Sequence, residues 1–371
     1  MNHQKQTSIL FLFGKDIGKI IDEIQTGVRP VAHCYWLLKM QDEHPDIHNL
    51  GGKLRRSWFG FIWGLIRRLV YKYSEIGFNI EVALANRKSI NNANVVFCTT
   101  DSIALPVLAL KKLGMIRSKI LYQTIGLWDA WNRRKNGLMR RLWSSLIAQA
   151  DKILCLTPEE ASRFSETFNV PCEKIVQIHT LAGFDASFFG ARSVSDGGYV
   201  LSVGRDKHRD FDTFIQAAAL SGLPSIMVRA TENTYTSILP LNLIEYTDIP
   251  YQKVMELYDS ARMVVVTLHN NTYTAGWVVL GEAMSLGKPV IVTHVDAMNG
   301  MDDILVSGKN CIIVSNHDAS GLSKSMIRLY NDVALRDYLG VNARATAKQY
   351  SDRYCKVIGD LLYNRAETAE K

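Results

Sequence analysis

Two stretches of this chain hold the residue types best suited to chemistry. In the first, the apolar run Tyr199-Val-Leu-Ser-Val203 leads straight into Gly204-Arg205-Asp-Lys-His-Arg209. A glycine at a strand end lets the backbone turn sharply. Arg205 and Arg209 then stand close together in sequence, with Lys207 between them. Two guanidinium groups near one point are costly unless an anion joins them, and each planar fork can hold two oxygens of a diphosphate. The alternative is a solvated loop with ion pairs to Asp206 and Asp210. In the second stretch, Thr272, Thr274, Ala275 and Gly276 form a small-residue turn before a segment of helical spacing that contains Glu282. The first amides of a helix have no partners of their own, so such a turn is a ready anion site. Glu282 falls about a turn and a half into that helix, where an acid can meet the rest of a ligand whose phosphate sits on the amides. Two anion-type sites in one half of the chain favour the anion reading of both.

These residues need strands and helices to position them. Met263 to Leu268 reads as a buried parallel strand, Val278 to Leu286 as a helix, and Val290 to Val292 as the next strand. Gly287 is placed to stop the helix and Pro289 to prevent its resumption. Ser8 to Phe13 is a first strand, and an aromatic helix with His33, Tyr35 and Trp36 follows. From Asn94 onward strands and helices alternate: strands at 94–98, 119–123, 152–156 and 174–178, with helices at 102–113, 132–149 and 158–167 between them. After an aperiodic stretch at 183–197 the rhythm restarts at 199–203 and continues to helices at 318–333 and 334–348. The alternation implies an α/β chain with parallel sheets covered on both faces. Two doubly wound domains are expected, one over 1–190 and one over 195–348. A last helix in 351–371 is expected to pack back onto the first domain. Ligands of such sheets bind at the carboxyl ends of the strands.

The 371 residues exceed one ordinary core and suit two domains. A hydrophobic content of 47% and a charged content of 21% are those of a globular protein. No apolar run approaches the ~20 residues of a membrane span, and no signal peptide is read. The six cysteines are scattered, without zinc spacing or a Cys-x-x-Cys pair, which suggests reduced core thiols in a cytoplasmic protein. The net charge of +7 is uneven: residues 1–190 carry 25 Lys/Arg against 16 Asp/Glu, whereas the remainder is slightly acidic. A basic excess in one half points to an anionic partner for that half.

The segment Lys53 to Tyr73 contains six basic residues and no acid. On a helical wheel Trp58, Phe59, Ile62, Leu65, Ile66, Leu69 and Tyr73 share a face. Arg67 falls opposite it, and Arg56 and Arg68 lie well off it. A basic face opposite a Trp/Phe/Leu face is how a helix lies in the headgroup layer of an anionic membrane. Trp58, Trp63, Arg67 and Arg68 are the residues expected at that surface. Arg133 to Lys135 and Arg140-Arg141, with Trp131 and Trp143, form a second basic patch. The alternative is a helix packed on its own sheet with a solvated basic edge. No nucleic-acid module is recognisable, so nucleic acid is not expected as a partner.

The second half resembles the retaining GT-B glycosyltransferases of family 4, the glycosyl transferases group 1. The resemblance rests on Ser202-Val-Gly204-Arg205 with Arg209, and on Tyr251, Leu257-Tyr258 and Ala261. It continues in Leu280-Gly-Glu282-Ala-Met-Ser-Leu-Gly287-Lys-Pro289 and Gly308-Lys-Asn-Cys-Ile-Ile-Val314. It is good over 195–345, moderate over 150–189 and weak over 1–149. It implies the GT-B fold, two Rossmann-like domains facing across a cleft. It further implies that the second domain binds a nucleotide-sugar through Gly204, Arg205, Arg209, Thr274, Ala275, Gly276 and Glu282. Glu282 matches the second glutamate of the family's E-x7-E motif, which bonds the ribose. The first position falls on Thr274, where the acid that touches the donor sugar is replaced by a hydroxyl. No histidine stands in Leu121 to Asp129, where the family's is sought; Thr124, Gly126 and Asp129 are the acceptor-side candidates.

The implied reaction is metal-independent transfer of a hexose from a UDP- or GDP-sugar, without a cofactor, to a sugar or lipid-linked acceptor in cell-envelope or exopolysaccharide synthesis. Arg205, Arg209 and the amides near Thr274 would stabilise charge on the departing diphosphate. Met301-Asp-Asp303 is read as a helix cap rather than a metal site. The expected location is the inner face of the cell membrane, held peripherally. Two alternatives keep the fold: a nucleotide-sugar 2-epimerase, and a non-catalytic nucleotide-binding subunit.

Overall fold

The computed structural model describes residues 8–51, 60–181 and 183–363. The chain divides into two compact units. The first comprises residues 1–23, 34–178 and 354–371, and the second residues 24–33 and 179–353.

The first unit is built on a six-stranded parallel sheet of β1 (Ile9–Leu12), β2 (Ile47–Leu50), β3 (Val95–Cys98), β4 (Lys119–Gln123), β5 (Lys152–Cys155) and β6 (Ile175–Gln177), in the order β2-β1-β3-β4-β5-β6. Every residue of β1 and β3 is buried, as expected of strands covered on both faces. Val96, Ile120, Tyr122 and Ile153 meet helical residues such as Ile103, Leu108 and Ile147 in one core.

Three local readings are corrected here. The expected aromatic helix is broken, because Tyr35 and Trp36 both adopt left-handed backbone (φ 55 and 60) between a 3-10 turn Val31–Cys34 and the helix Leu37–Glu43. The helix expected over 132–149 is two, Leu127–Arg134 and Gly137–Ile147. Lys135 at φ 47 ends the first, and the Asn136 side chain caps the second by accepting from the amides of Leu138 and Met139. Edge strand β2 was not expected at all, since its Ile-His-Asn-Leu sequence carries no clear period.

The helix Gly60–Ser74 covers the described part of the basic aromatic segment; Trp58 and Phe59 lie outside the described residues. Trp63 and Val70 pack against the core of the first unit. Trp63 is therefore partly buried and anchors the helix inward. Ile62, Leu65, Leu69 and Tyr73 are about half exposed, on a face turned to solvent. Arg67 pairs with Glu81 at 3.7 Å, whereas Arg68 and Lys72 are exposed. In the second basic patch Trp143 is buried, and Arg133 and Arg134 both pair with Glu75. Arg140 and Arg141 stay exposed beside the apolar Leu138 and Leu142. No helix among the described residues is long and apolar enough to cross a membrane.

The second unit repeats the plan with β7 (Val200–Gly204), β8 (Ser225–Arg229), β9 (Leu243–Thr247), β10 (Met263–Val266), β11 (Val290–Thr293) and β12 (Ile312–Val314), all parallel, in the order β12-β11-β10-β7-β8-β9. Strand order reverses between β7 and β10, so the loops leaving their carboxyl ends part there and open a crevice. Those two loops are the stretches singled out from the sequence. The aperiodic segment at 183–197 contains a short helix, Ala186–Gly190, which Asp185 caps by accepting from the Phe188 amide. The helix Arg353–Leu362 follows, and from Tyr354 the chain belongs to the first unit.

Candidate functional site

At the end of β7, Gly204 has ordinary extended backbone and is absent from the left-handed residues. Its role differs from the sharp turn expected. A β-carbon here would lie 1.9 Å from Nε and 2.6 Å from Cγ of Arg209, so the bare glycine is the shelf on which that side chain rests. Arg209 itself is 4% exposed and bridges Leu268 of the neighbouring loop. Both terminal nitrogens, Nη1 and Nη2, are buried and lack a hydrogen-bond partner among the described residues. Burial lowers its pKa from 12.5 to about 10, with the nearby Tyr258 and Asp206 acting in the opposite sense. A cation so enclosed with two idle donors is an incomplete arrangement.

What it faces is the start of the helix Trp277–Ser285. Gly276 is the N-cap, at φ 75, and no side chain caps the helix. The position of a β-carbon on Gly276 would be 3.0 Å from Arg209 Nη1. The positive end of the helix and the buried guanidinium thus point at the same place, and both favour an anion there. Ala275 is buried and Thr274 half-buried in the turn before it, with the Thr274 carbonyl accepting from the Trp277 amide at 3.2 Å.

Arg205 is arranged differently. It is exposed, and its Nη2 donates to Asp248 at 2.7 Å. Asp248 is held by Thr231, whose amide and hydroxyl both donate to it, and these bonds with Arg205 depress its pKa. The expected pair of forks converging on one anion is therefore not present: Arg205 would have to exchange Asp248 for the ligand. Neither Asp206 nor Asp210 forms an ion pair with either arginine among the described residues. Asp206 accepts from the Tyr273 hydroxyl at 2.9 Å, and Asp210 caps the helix Phe211–Ser221.

Further along the helix Trp277–Ser285, Glu282 is 3% exposed and carries two bonds on Oε1, one to His33 Nε2 at 2.9 Å and one from the Tyr251 hydroxyl at 2.7 Å. Burial and the Glu282 charge raise the pKa of Tyr251 well above 10 and do the same to Tyr258, so both remain neutral, Tyr251 as a donor. The His33 ring meets Tyr251 edge-on at 5.0 Å, and the Arg29 guanidinium lies over the Tyr251 ring at 4.4 Å. His33 and Arg29 come from residues 24–33, which belong to the second unit although both flanking segments belong to the first. The Val31 amide secures this segment by donating to Asp185 at 3.0 Å. Neither His33 nor Tyr251 was expected at the site. The only sequence signal for Tyr251 was its place in the family pattern, and His33 gave none, being 249 residues from its partner.

The acceptor-side candidates fall in the first unit. Thr124 is fully buried, Asp129 is 8% exposed, and Gly126 (φ 80) caps the helix Leu127–Arg134. All three border a buried carboxyl cluster instead of an open surface. Asp101 accepts from the Tyr122 hydroxyl at 2.5 Å and from the Ile125 amide, and burial raises its pKa to about 6. Glu160 is raised well above its usual range by burial, with the charges of Asp101 and Asp129 adding to it. Met301-Asp-Asp303 caps no helix among the described residues: Asp303 binds His179 Nε2 at 2.6 Å and the Tyr350 hydroxyl at 2.7 Å.

Residues 199–332 match the family model described as glycosyl transferases group 1. Over 74 residues the chain is 31% identical to the uncharacterized glycosyltransferase MJ1178 of Methanocaldococcus jannaschii, and the match spans about a fifth of each protein. Among solved structures, Anabaena Alr3699/HepE in complex with UDP and glucose superposes with a TM-score of 0.65 at 14% identity, covering 96% of this chain and 99% of that one. Sucrose-phosphate synthase from Thermosynechococcus elongatus gives 0.65 at 15% identity, covering 96% and 98%. At such identities the likeness is one of fold. The chain has the GT-B fold, two Rossmann-like units, and its second unit carries the sequence pattern of the glycosyl transferases group 1.

Proposed function

We propose that the protein is a retaining, family 4 glycosyltransferase that takes a hexose from a nucleotide-sugar, a UDP-sugar first among candidates, and passes it to a lipid-linked acceptor. The observation that carries this reading is Arg209, buried with two idle nitrogens and aimed at the uncapped helix start at Gly276. A diphosphate there satisfies both nitrogens and the helix amides at once. As the glycosidic bond breaks, negative charge grows on the β-phosphate, and these fixed donors stabilise it more than the ground state. Because a guanidinium and a helix end do the neutralising, the transfer is proposed to need no divalent cation. Glu282, held by His33 and Tyr251, is the ribose contact, and its second oxygen is the natural acceptor from a sugar hydroxyl. Attack from the face of the departing phosphate, which takes the acceptor's proton, retains configuration.

The second part of the proposal concerns location. The half-exposed face Ile62, Leu65, Leu69 and Tyr73, with Arg68 and Lys72, suits the headgroup layer of an anionic membrane at the cytoplasmic face, where a lipid-linked acceptor for envelope or exopolysaccharide synthesis resides. The test is a donor screen: UDP, GDP and their sugars are assayed for thermal stabilisation, then for transfer with membrane lipid extract. Stabilisation by UDP or GDP with transfer supports the reading; no effect from any nucleotide sinks it. Thr274, standing where the family has an acid, favours one competing reading, a nucleotide-binding subunit without turnover. Stabilisation by nucleotide with no transfer or hydrolysis in any acceptor screen would select it.

A further inference from the structure

Three side chains of the second unit, one of them next to Arg209 in the chain but separate from the groups it faces, converge from three separate loops. Asp210 follows β7, His269 follows β10, and His317 follows β12. Asp210 Oδ2 lies 2.7 Å from His317 Nδ1 and 3.9 Å from His269 Nδ1, and the three ligand atoms are all within 4.8 Å of one another. We propose that Asp210, His269 and His317 form a binding site for a divalent transition-metal ion of the zinc class, which fastens the three loops together.

The geometry suits such an ion. Ligands about 2.0–2.1 Å from a tetrahedral zinc lie about 3.3 Å from each other, between the two distances observed. Two imidazole nitrogens and one carboxylate oxygen select zinc, cobalt or nickel over the all-oxygen coordination that calcium and magnesium require. The carboxylate is preset: Asp210 is 2% exposed, and Thr213 donates its amide to Oδ1 at 3.0 Å and its hydroxyl to Oδ2 at 2.6 Å. Supporting bonds of this kind orient a metal ligand. The His269 loop is likewise fixed, through its amide to the His208 carbonyl at 2.7 Å and its carbonyl from Asn271 Nδ2 at 2.9 Å. His317 holds left-handed backbone at φ 56, a sparsely populated state for a residue with a β-carbon. Both histidine side chains are half exposed, at 50% and 58%, so a fourth position stays open to water. The competing account is an ion pair of His317 with Asp210 and a bystander His269, which predicts no metal uptake.

The experiment uses the full chain without an affinity tag, stripped with chelator, and with the exposed Cys172 changed to serine so that no thiolate contributes. Cobalt(II) is titrated and the visible absorption of a four-coordinate site is followed, and zinc is then used to displace it. The expected result is one equivalent bound at micromolar or tighter affinity, with zinc raising the melting temperature. His317→Ala and His269→Ala should each weaken cobalt binding about 100-fold and abolish the zinc-dependent rise. No cobalt uptake, or uptake unchanged in both histidine variants, overturns the proposal. The readout needs no nucleotide-sugar, so it stands or falls separately from the donor site.

Discussion

Replacing Arg209 with methionine should make the unliganded protein more stable and abolish its response to UDP. The side chain is buried, and its pKa falls from 12.5 to about 10. At neutral pH the guanidinium is still charged, so the full shift counts against the folded state, a cost of about 3 kcal/mol. Methionine keeps the length of the chain that rests on Gly204 and removes the charge. Some packing is lost, so a net gain of about 1–3 kcal/mol is expected, in line with apolar replacement of buried ionic groups. For a unit of this size that is a rise of roughly 3–10 °C in the melting of the second unit. The opposite holds for the ligand. Two charge-assisted bonds at about 1.5–3 kcal/mol each disappear, which weakens UDP at least about 100-fold. Differential scanning fluorimetry with and without UDP, followed by calorimetry, reads both effects. Arg209→Lys serves as the control that keeps the charge. A variant that melts lower than wild type and still responds fully to UDP would refute the reasoning, since Arg209 would then be an ordinary structural residue.

Three further outcomes are expected. Glu282→Gln should weaken donor binding about 10–100-fold by removing charge-assisted acceptance, and His33→Ala should weaken it less, with both read as UDP affinity by calorimetry. Stability of the first unit should depend on pH through Asp101, whose folded pKa of about 6 exceeds the free value of 3.8. Its contribution is complete below about pH 4 and is lost as pH rises through 6, up to about 3 kcal/mol, and Asp101→Asn should flatten that slope in denaturant titrations. Leu65→Glu with Leu69→Glu should release the protein from anionic vesicles in a flotation assay while leaving its melting temperature within about 2 °C, because both side chains are half exposed. Unchanged flotation would remove the membrane part of the proposal.

The alternation of strands and helices made both sheets legible, because β1, β3, β10 and β11 are buried throughout and their apolar runs are unbroken. The places of Arg209, Gly276 and Glu282 in the fold were legible for a related reason: they follow a strand, cap a helix and lie within that helix, where local sequence fixes position. What escaped depends on distance along the chain. His33 reaches Glu282 across 249 residues, and Asp210, His269 and His317 gather from loops with no spacing rule to connect them. The inward packing of Trp63 was not legible because helical periodicity gives an apolar face but not which side of the helix the domain covers. Asp248 drew Arg205 aside for the same reason, since a partner 43 residues away leaves no local trace.

The glycine beneath Arg209 constrains the order in which this site can change. With the arginine in place, alanine at 204 collides with its side chain, so Gly204 cannot vary first. Once Arg209 is replaced by something shorter, the atoms nearest a β-carbon at 204 are gone. Loss of the guanidinium is thus an open door and loss of the glycine a closed one. A descendant chain with a larger residue at 204 would bear the mark of having already given up its buried cation, and with it the proposed grip on a diphosphate.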